Sequence, residues 1–458
     1  MATLSINPMH RVTGHLKVAV EIERGTITSA RCSGTAFRGW ESIMSKRDIT
    51  DMVQWAQRMC TPCSVGNSLA AAMAAEQMMQ VAVTANARKL RNVILAVSYI
   101  QNHIHHFYRL TLPDYLEAPA AGPLFTGQVG DIRIKGSEAK GYHEHYWLAD
   151  KAYRTAGEML AIFGSKFPHM GAQVPGGWAE LLDAQKIIAM EAGRRELLEF
   201  IDKIYLPDVR SLLQRYPEAL DMGKSAGNFL AFGAFPRQGD TDFFLPGGVL
   251  LKGQSDLPDV SKITEDSTCA WYQGGVTQPG NAEEIELAVD KAKAYTWVKA
   301  PRYAGQAMEV GPLARMLFKG TGEIKQLGAQ ANSIMGRHLA RALEAQLLAK
   351  EMGNWLAELK INEPLAVKLQ PVQLSEGAVT MELPGGSAIH WVKTEGQQVT
   401  SYNIIGPSTW NMSPRDAQGQ PGPVEGALQG LEVPAGQERL RIGRVVRSFD
   451  PCLDCAVH

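Results

Sequence analysis

Arg58-Met59-Cys60-Thr61-Pro62-Cys63 and Asp450-Pro451-Cys452-Leu453-Asp454-Cys455-Ala456-Val457-His458 decide how this chain is read. Each stretch holds a C-x-x-C pair, and one lies near either end of the 458 residues. Separate domains ordinarily keep a metal site local in sequence. If these two pairs meet, the ends of the chain are woven into one core, so residues 1–458 are expected to form a single interwoven unit. The other two thiols, Cys32 and Cys269, stand alone. In a reducing compartment a C-x-x-C pair is more often metal-binding or redox-active than a structural disulfide.

Working outward from the first pair, residues 16–37 alternate apolar and polar around Arg24-Gly25, which predicts a β-hairpin. From Trp40 to Met59, and again from Ser68 to about Leu112, apolar positions recur every three or four residues. Only Thr61-Pro62 interrupts them, so long helices are expected with the first C-x-x-C at their joint. Further helices are predicted over His145–Phe163, Trp178–Arg215, Asn281–Ala294 and Ile324–Leu359. Residues 226–280, with runs such as GNFLAFGAFP and GGVLLKG, read as strands and loops, and so does the Pro- and Gly-dense stretch after Asn362. The expected fold is mixed α/β and predominantly helical: a central bundle of long helices with short peripheral strands, and the metal site buried between the two ends.

The balance of 46 Lys+Arg against 47 Asp+Glu, with 45% apolar residues, is that of a globular protein. A net charge of −1 provides no basic field for nucleic acid. The first residues lack a basic segment followed by an apolar run, and no stretch reaches the roughly 20 apolar residues that span a bilayer. No direct membrane insertion is expected. A cytoplasmic location follows as the expectation, with a membrane-associated or periplasmic placement through a partner as the alternative.

Four thiolates in two pairs are soft ligands, suited to zinc, to an iron–sulfur centre, or to another thiophilic metal such as nickel. Zinc ribbons usually keep their pairs within a few tens of residues, so the wide separation leaves a buried catalytic metal centre and two unrelated pairs beside the zinc reading.

Around these pairs the chain reads FRGWE (Phe37–Glu41), RMCTPC (Arg58–Cys63), HIHHFYRLTLPDYL (His103–Leu116), FGSKFPHMGAQVPGG (Phe163–Gly177), WVKAPRYAGQAMEVGPLAR (Trp297–Arg315), MELPGGSAIHW (Met381–Trp391), YNIIGPSTWN (Tyr402–Asn411) and DPCLDCAVH (Asp450–His458). This ordered series, spanning nearly the whole chain, resembles the large subunit of the nickel–iron hydrogenases.

The resemblance implies a Ni–Fe centre on four cysteines, with Cys60 and Cys452 as terminal nickel ligands and Cys63 and Cys455 bridging to an iron that carries CO and CN. Dihydrogen would be split heterolytically, the proton passing to a base such as the Cys452 sulfur. Pro384, Gly385 and Ser408 would line the pocket for the diatomic ligands, Ser408 donating a hydrogen bond to one cyanide. Asp114 and Asp450 would be carboxylates supporting the centre. A magnesium or similar hard cation would sit near the chain end on the Glu41 carboxylate, the Ile404 carbonyl and a nitrogen of His458. Maturation proteins would insert the metals, and most members carry a C-terminal extension removed after this histidine. Electrons would leave to an iron–sulfur small subunit, because Cys32 and Cys269 are too isolated to hold a cluster.

Four departures from the family pattern fall near the expected chemistry. Thr13 stands where members usually have a proton-passing Glu, and a hydroxyl relays but does not ionise at neutral pH. Asn67 replaces a His, Gly385 replaces an Arg, and Phe167 replaces the first His of a K-H-P-H segment. The combination predicts a centre that assembles but turns over slowly or moves its protons by another path. A dihydrogen-sensing regulatory subunit is the second reading. The three histidines His103, His105 and His106 are expected to be hydrogen-bonded core residues rather than metal ligands.

Overall fold

The structure, a computed structural model, describes residues 2–119, 127–237, 242–280, 286–320 and 322–457. The chain opens with the strands Ala2–Ile6, Leu16–Glu23 and Thr26–Gly34 in one antiparallel sheet. The predicted hairpin is present. Its two-residue turn places Arg24 at φ 52° and Gly25 at φ 80°, the left-handed pair that matches strand twist. The first strand pairs with the hairpin from Ala2↔Ile22 to Ile6↔Val18 and was not anticipated.

The helical layer follows. The expected helix from Trp40 is two pieces, Trp40–Met44 and Met52–Met59, joined through a turn capped by Asp48, whose carboxylate accepts from Thr50 N–H at 2.8 Å. After the first C-x-x-C come Ser64–Met78 and Ala85–His105, the latter capped by Thr84 accepting from Ala87 N–H at 3.0 Å. Ala85–His105 continues into a π-helical turn, His106–Thr111. Gly136–Gly164 is longer than the sequence suggested, whereas the segment predicted to begin at Trp178 becomes helical only at Ala184. Trp178 instead pairs in a short hairpin with Gln173 and donates its indole N–H to the Phe163 carbonyl at 2.6 Å. The core of the layer is Ile334–Ala357, which packs against Ala85–His105 and Ala184–Phe200.

One predicted helix is not formed over its described residues. Within Asn281–Ala294, residues 281–285 lie outside the described residues, and 286–294 form turns and a bridge between Tyr272 and Leu287. Lys291 explains this: its ammonium donates to the carbonyls of Ser267 and Tyr272 at 2.7 and 2.8 Å, so tertiary contacts override helix propensity. Nine short strands, separated by turns and loops, lie among the described residues of 229–310. Beyond residue 362, a three-stranded sheet (Glu376–Leu383, Gly386–Glu395, Gln398–Ile405) precedes three helices that the Pro and Gly content had hidden, Pro407–Asn411, Pro423–Leu428 and Glu438–Ser448. Each of the first two opens on a proline, a residue preorganised for the first helical turn.

The ends are tied together by buried polar contacts. Glu425 accepts from the Cys32 N–H and the Tyr295 hydroxyl, each at 2.9 Å, pinning the C-terminal third to the N-terminal hairpin. Asp114 is gripped by Arg11 and Arg447. No helix among the described residues is long and apolar enough to cross a membrane.

Candidate metal centre

Each C-x-x-C sits where one regular element has stopped and another starts. Helix Met52–Met59 ends at Cys60, which is extended at φ −151°, and Cys63 caps the start of Ser64–Met78. In the second motif, Asp450 takes a left-handed φ of 55° directly after helix Glu438–Ser448 and turns the chain into Pro451 and Cys452. A single turn, Leu453–Cys455, then brings the second thiol round. The N-terminal segment closes on this loop. Gly14, at φ 79°, lies so near that a Cβ there would sit 2.9 Å from an Asp454 carboxylate oxygen and 3.0 Å from the Leu453 Cβ. At Gly406 a Cβ would fall 2.2 Å from the Cys455 carbonyl oxygen. Arg38 spans both motifs, donating to the carbonyls of Met59 and Asp454.

All four thiols are buried and joined in no disulfide, and their sulfurs lie within 4.8 Å of one another. Cys60 Sγ is 3.1 Å from Cys452 Sγ, which is 3.6 Å from Cys455 Sγ. Burial raises the Cys60 thiol pKa, and contact with Cys452 drives Cys455 well above an ordinary thiol; Cys452 is pushed up to about 11. Four thiolates cannot share so small a volume without positive charge, and a bound cation reverses the balance by holding them deprotonated. The donor set therefore fits a thiophilic metal centre. Among the described residues these four form the one group of three or more potential metal ligands.

A cavity of about 20 Å³ opens beside the thiols, lined in part by Thr13, Cys63, Gly385, Ser408, Asp450 and Cys452. Thr13, Gly385, Ser408 and Asp450, singled out in the sequence, are thus brought together. The Ser408 hydroxyl accepts the Cys452 N–H at 2.8 Å, which leaves its own proton free to donate elsewhere. Burial raises the Asp450 carboxyl pKa, and the Arg341 charge and the Asn102 amide oppose that rise.

Pro384 is placed by its carbonyl, which accepts from Arg315 at 2.9 Å. Arg315 also donates to the Leu383 carbonyl at 3.0 Å and pairs with Glu344 and Glu382, all three side chains fully buried. Burial would raise Glu344, yet the Arg315 guanidinium holds it down at about 2. This network fixes the Pro384-Gly385 turn from behind. Asn67 is buried one helical turn after Cys63, and neither its amide nitrogen nor its oxygen has a hydrogen-bond partner. Asp114 does not line the cavity; it is held in the ion pairs with Arg11 and Arg447 and accepts at 2.7 Å from the Arg447 Nε.

For the hard cation, Glu41 and Ile404 are both buried. Glu41 accepts from the Asn403 amide at 2.7 Å on one oxygen, while the other takes no hydrogen bond among the described residues and faces the Lys299 ammonium at 3.7 Å. His458 lies outside the described residues. His103 and His106 are buried and hydrogen-bonded, to Glu344 at 2.7 Å and to the Arg447 carbonyl at 2.6 Å, as expected of core histidines. The sequence reading passed over Asn102, on the cavity wall, and Arg315 behind it; His105, expected to be a hydrogen-bonded core histidine like His103 and His106, is instead only partly buried on that wall, with no hydrogen bond to its ring among the described residues. Asn102 and His105 are three apart, one helical turn on a shared face, which is the signal that could have paired them.

With this geometry in place, comparison with known proteins is direct. Residues 38–126 and 131–458 match the family described as nickel-dependent hydrogenase. The chain is 35% identical, over 99% of its length and 94% of the relative's, to the periplasmic [NiFeSe] hydrogenase large subunit of Desulfomicrobium baculatum. It is 28% identical, over 99% and 97%, to the Hydrogenase-2 large chain of Escherichia coli K12. The Ni-Fe-Se hydrogenase of D. vulgaris Hildenborough in its reduced state superposes with a TM-score of 0.95 at 35% identity, each chain covered completely. The chain belongs to the nickel-dependent hydrogenase family and has the fold of its large subunits.

One expectation is corrected by the same comparison. The cytoplasmic location inferred from the lack of a membrane segment does not hold, because a relative matched along nearly the entire chain is periplasmic by name. A chain's own apolar runs report on membrane crossing by that chain and not on the compartment to which a complex is delivered.

Proposed function

We propose that this chain is the catalytic large subunit of a hydrogenase that oxidises dihydrogen, and that Cys60, Cys63, Cys452 and Cys455 hold a Ni–Fe centre with CO and CN on the iron. The observation that carries this reading is the convergence of four buried thiols from the two ends of the chain within 4.8 Å. When bound, the centre supplies the redox-active metal pair on which dihydrogen is cleaved heterolytically. The chain's own part is to hold, orient and deprotonate. Cys452 Sγ takes the first proton, its main chain fixed by Ser408 on one side and Thr13 on the other. Gly385 and the Ser408 hydroxyl bound a pocket narrow enough for diatomic ligands and for little water. The orphaned Asn67 amide suits a donor to a thiolate.

Glu41 Oε2, without a hydrogen-bond donor among the described residues, supports a hard-cation site completed by the Ile404 carbonyl and His458. Residues 1–458 act as one interwoven unit, and an iron–sulfur small subunit takes the electrons, since Cys32 and Cys269 join no ligand cluster among the described residues. Maturation proteins load the metals. The relatives named above are hydrogenase large chains, and neither name gives a sensing role. Infrared spectroscopy with nickel and iron analysis on the purified complex tests the proposal. Metal-bound CO and CN bands that shift under dihydrogen are expected; their absence from a fully matured sample refutes it.

A further inference from the structure

The cavity beside the thiols carries a histidine on its wall. His105, in the last turn of Ala85–His105, lines it together with Asn102, Cys63 and Asp450. Unlike His103 and His106, His105 is only partly buried, and no hydrogen bond to its ring is found among the described residues. Its ring lies 5.4 Å from that of Tyr153, centroid to centroid, and its charged neighbours are Arg109 and Asp150, paired to each other at the surface. The Arg109 and Asp150 side chains are 40% and 25% exposed. One imidazole therefore spans from the thiol cavity to a solvated ion pair. Thr13, whose hydroxyl does not ionise, lines the same cavity.

From this placement we infer that His105 is the proton outlet of the metal cavity: its ring accepts a proton released there and passes it to the Asp150 carboxylate or to water beside the Arg109–Asp150 pair. The inference rests on the hydrogenase reading of the site. A proton enters at one ring nitrogen and a proton leaves from the other, so no electron or bond to carbon is involved. Burial and, after it, the Arg109 charge lower the His105 pKa to about 4, which makes the ring a brief carrier rather than a store. Arg109, Asp150 and Tyr153 neighbour the ring, and Asp450 and the thiols share the cavity lining with it. Asp450 shares the cavity, but it is buried and has no such surface pair beside it.

The test uses the intact, metal-loaded complex. In His105→Phe, nickel, iron and the infrared bands should match the parent while exchange of dihydrogen with deuterium oxide falls roughly tenfold or more. In His105→Ala, added imidazole should restore exchange and pyrazole, of the same shape but barely basic, should not. A purely structural histidine would be rescued by both or by neither. Exchange within twofold of the parent in a normally loaded variant overturns the inference. If the variants fail to load metal, deuterium exchange at the imidazole carbon of each histidine in the parent decides, read by mass spectrometry across pH. His105 should exchange with a midpoint below that of a free histidine, well ahead of His103 and His106; a His105 sealed like those two overturns the inference. Absence of metal-bound CO and CN bands in the parent would instead count against the hydrogenase reading itself.

Discussion

Thr13 and Cys452 form a parallel bridge: the Thr13 N–H donates to the Pro451 carbonyl at 3.2 Å, and the Leu453 N–H donates to the Thr13 carbonyl at 2.8 Å. Two residues from opposite ends of the chain are thereby locked in register, one bearing a thiol and the other a hydroxyl that faces the same cavity. Whatever side chain occupies position 13 is delivered to the metal site by backbone hydrogen bonds that do not depend on its identity.

Thr13→Glu should therefore place a carboxylate in the cavity without disturbing Cys452, and exchange of dihydrogen with deuterium oxide should rise by about tenfold. An unchanged rate in a variant with normal metal content would show that protons leave by a path that avoids residue 13.

Cys63→Ser substitutes a hard hydroxyl for a soft thiolate within a cluster that needs four sulfurs. Loss of bound nickel and iron is the expected outcome, read by metal analysis and by disappearance of the CO and CN bands. Retained metals with unchanged activity would remove Cys63 from the ligand set.

Arg315→Met leaves Glu344 and Glu382 buried without their cation and strips the Leu383 and Pro384 carbonyls of a donor. Breaking a buried pair from one side costs about 3–5 kcal/mol. Denaturant unfolding should show a loss of that order, with weakened metal retention because the Pro384-Gly385 turn is freed.

Gly406→Ala is expected to be as damaging by a different route. The added methyl would meet the Cys455 carbonyl oxygen at 2.2 Å, a backbone atom that cannot swing aside. Metal content after purification should fall, and the unfolding midpoint should drop with it.

Glu425 gives the stability curve a predictable slope. Burial pushes its carboxyl up to about 7, from 4.5, so the folded chain holds a proton there that the unfolded chain has released. Between pH 4.5 and 7 the native state binds more protons, so this contribution is complete below pH 4.5 and is lost as pH rises to 7, amounting to about 3 kcal/mol. Glu425→Gln keeps an acceptor for Cys32 and Tyr295 and should flatten that part of the curve in pH-dependent unfolding. An identical slope in the variant would place the titration elsewhere.

The residues that fixed the reading were the ones whose chemistry is local. Arg24-Gly25 carries its own turn, and the helix around Leu90–Ile104 carries its own period, so both were legible as text. The C-x-x-C pairs announced soft ligands, and their spacing led to the expectation of an interwoven chain because two distant pairs can cooperate only by folding across each other. What the tertiary structure alone decided is where side chains of ambiguous type point. Residues 286–294 have helical composition but are held as turns by Lys291, reaching across to carbonyls between Ser267 and Gly274. Asp114, which the resemblance implies as a carboxylate supporting the centre, is held between Arg11 and Arg447, while Asn102 and His105 lie on the cavity wall. Helix period gives the face each residue occupies, but which face meets the thiols depends on how Ala85–His105 packs against Gly136–Gly164 and Ile334–Ala357, and packing is a property of all three together.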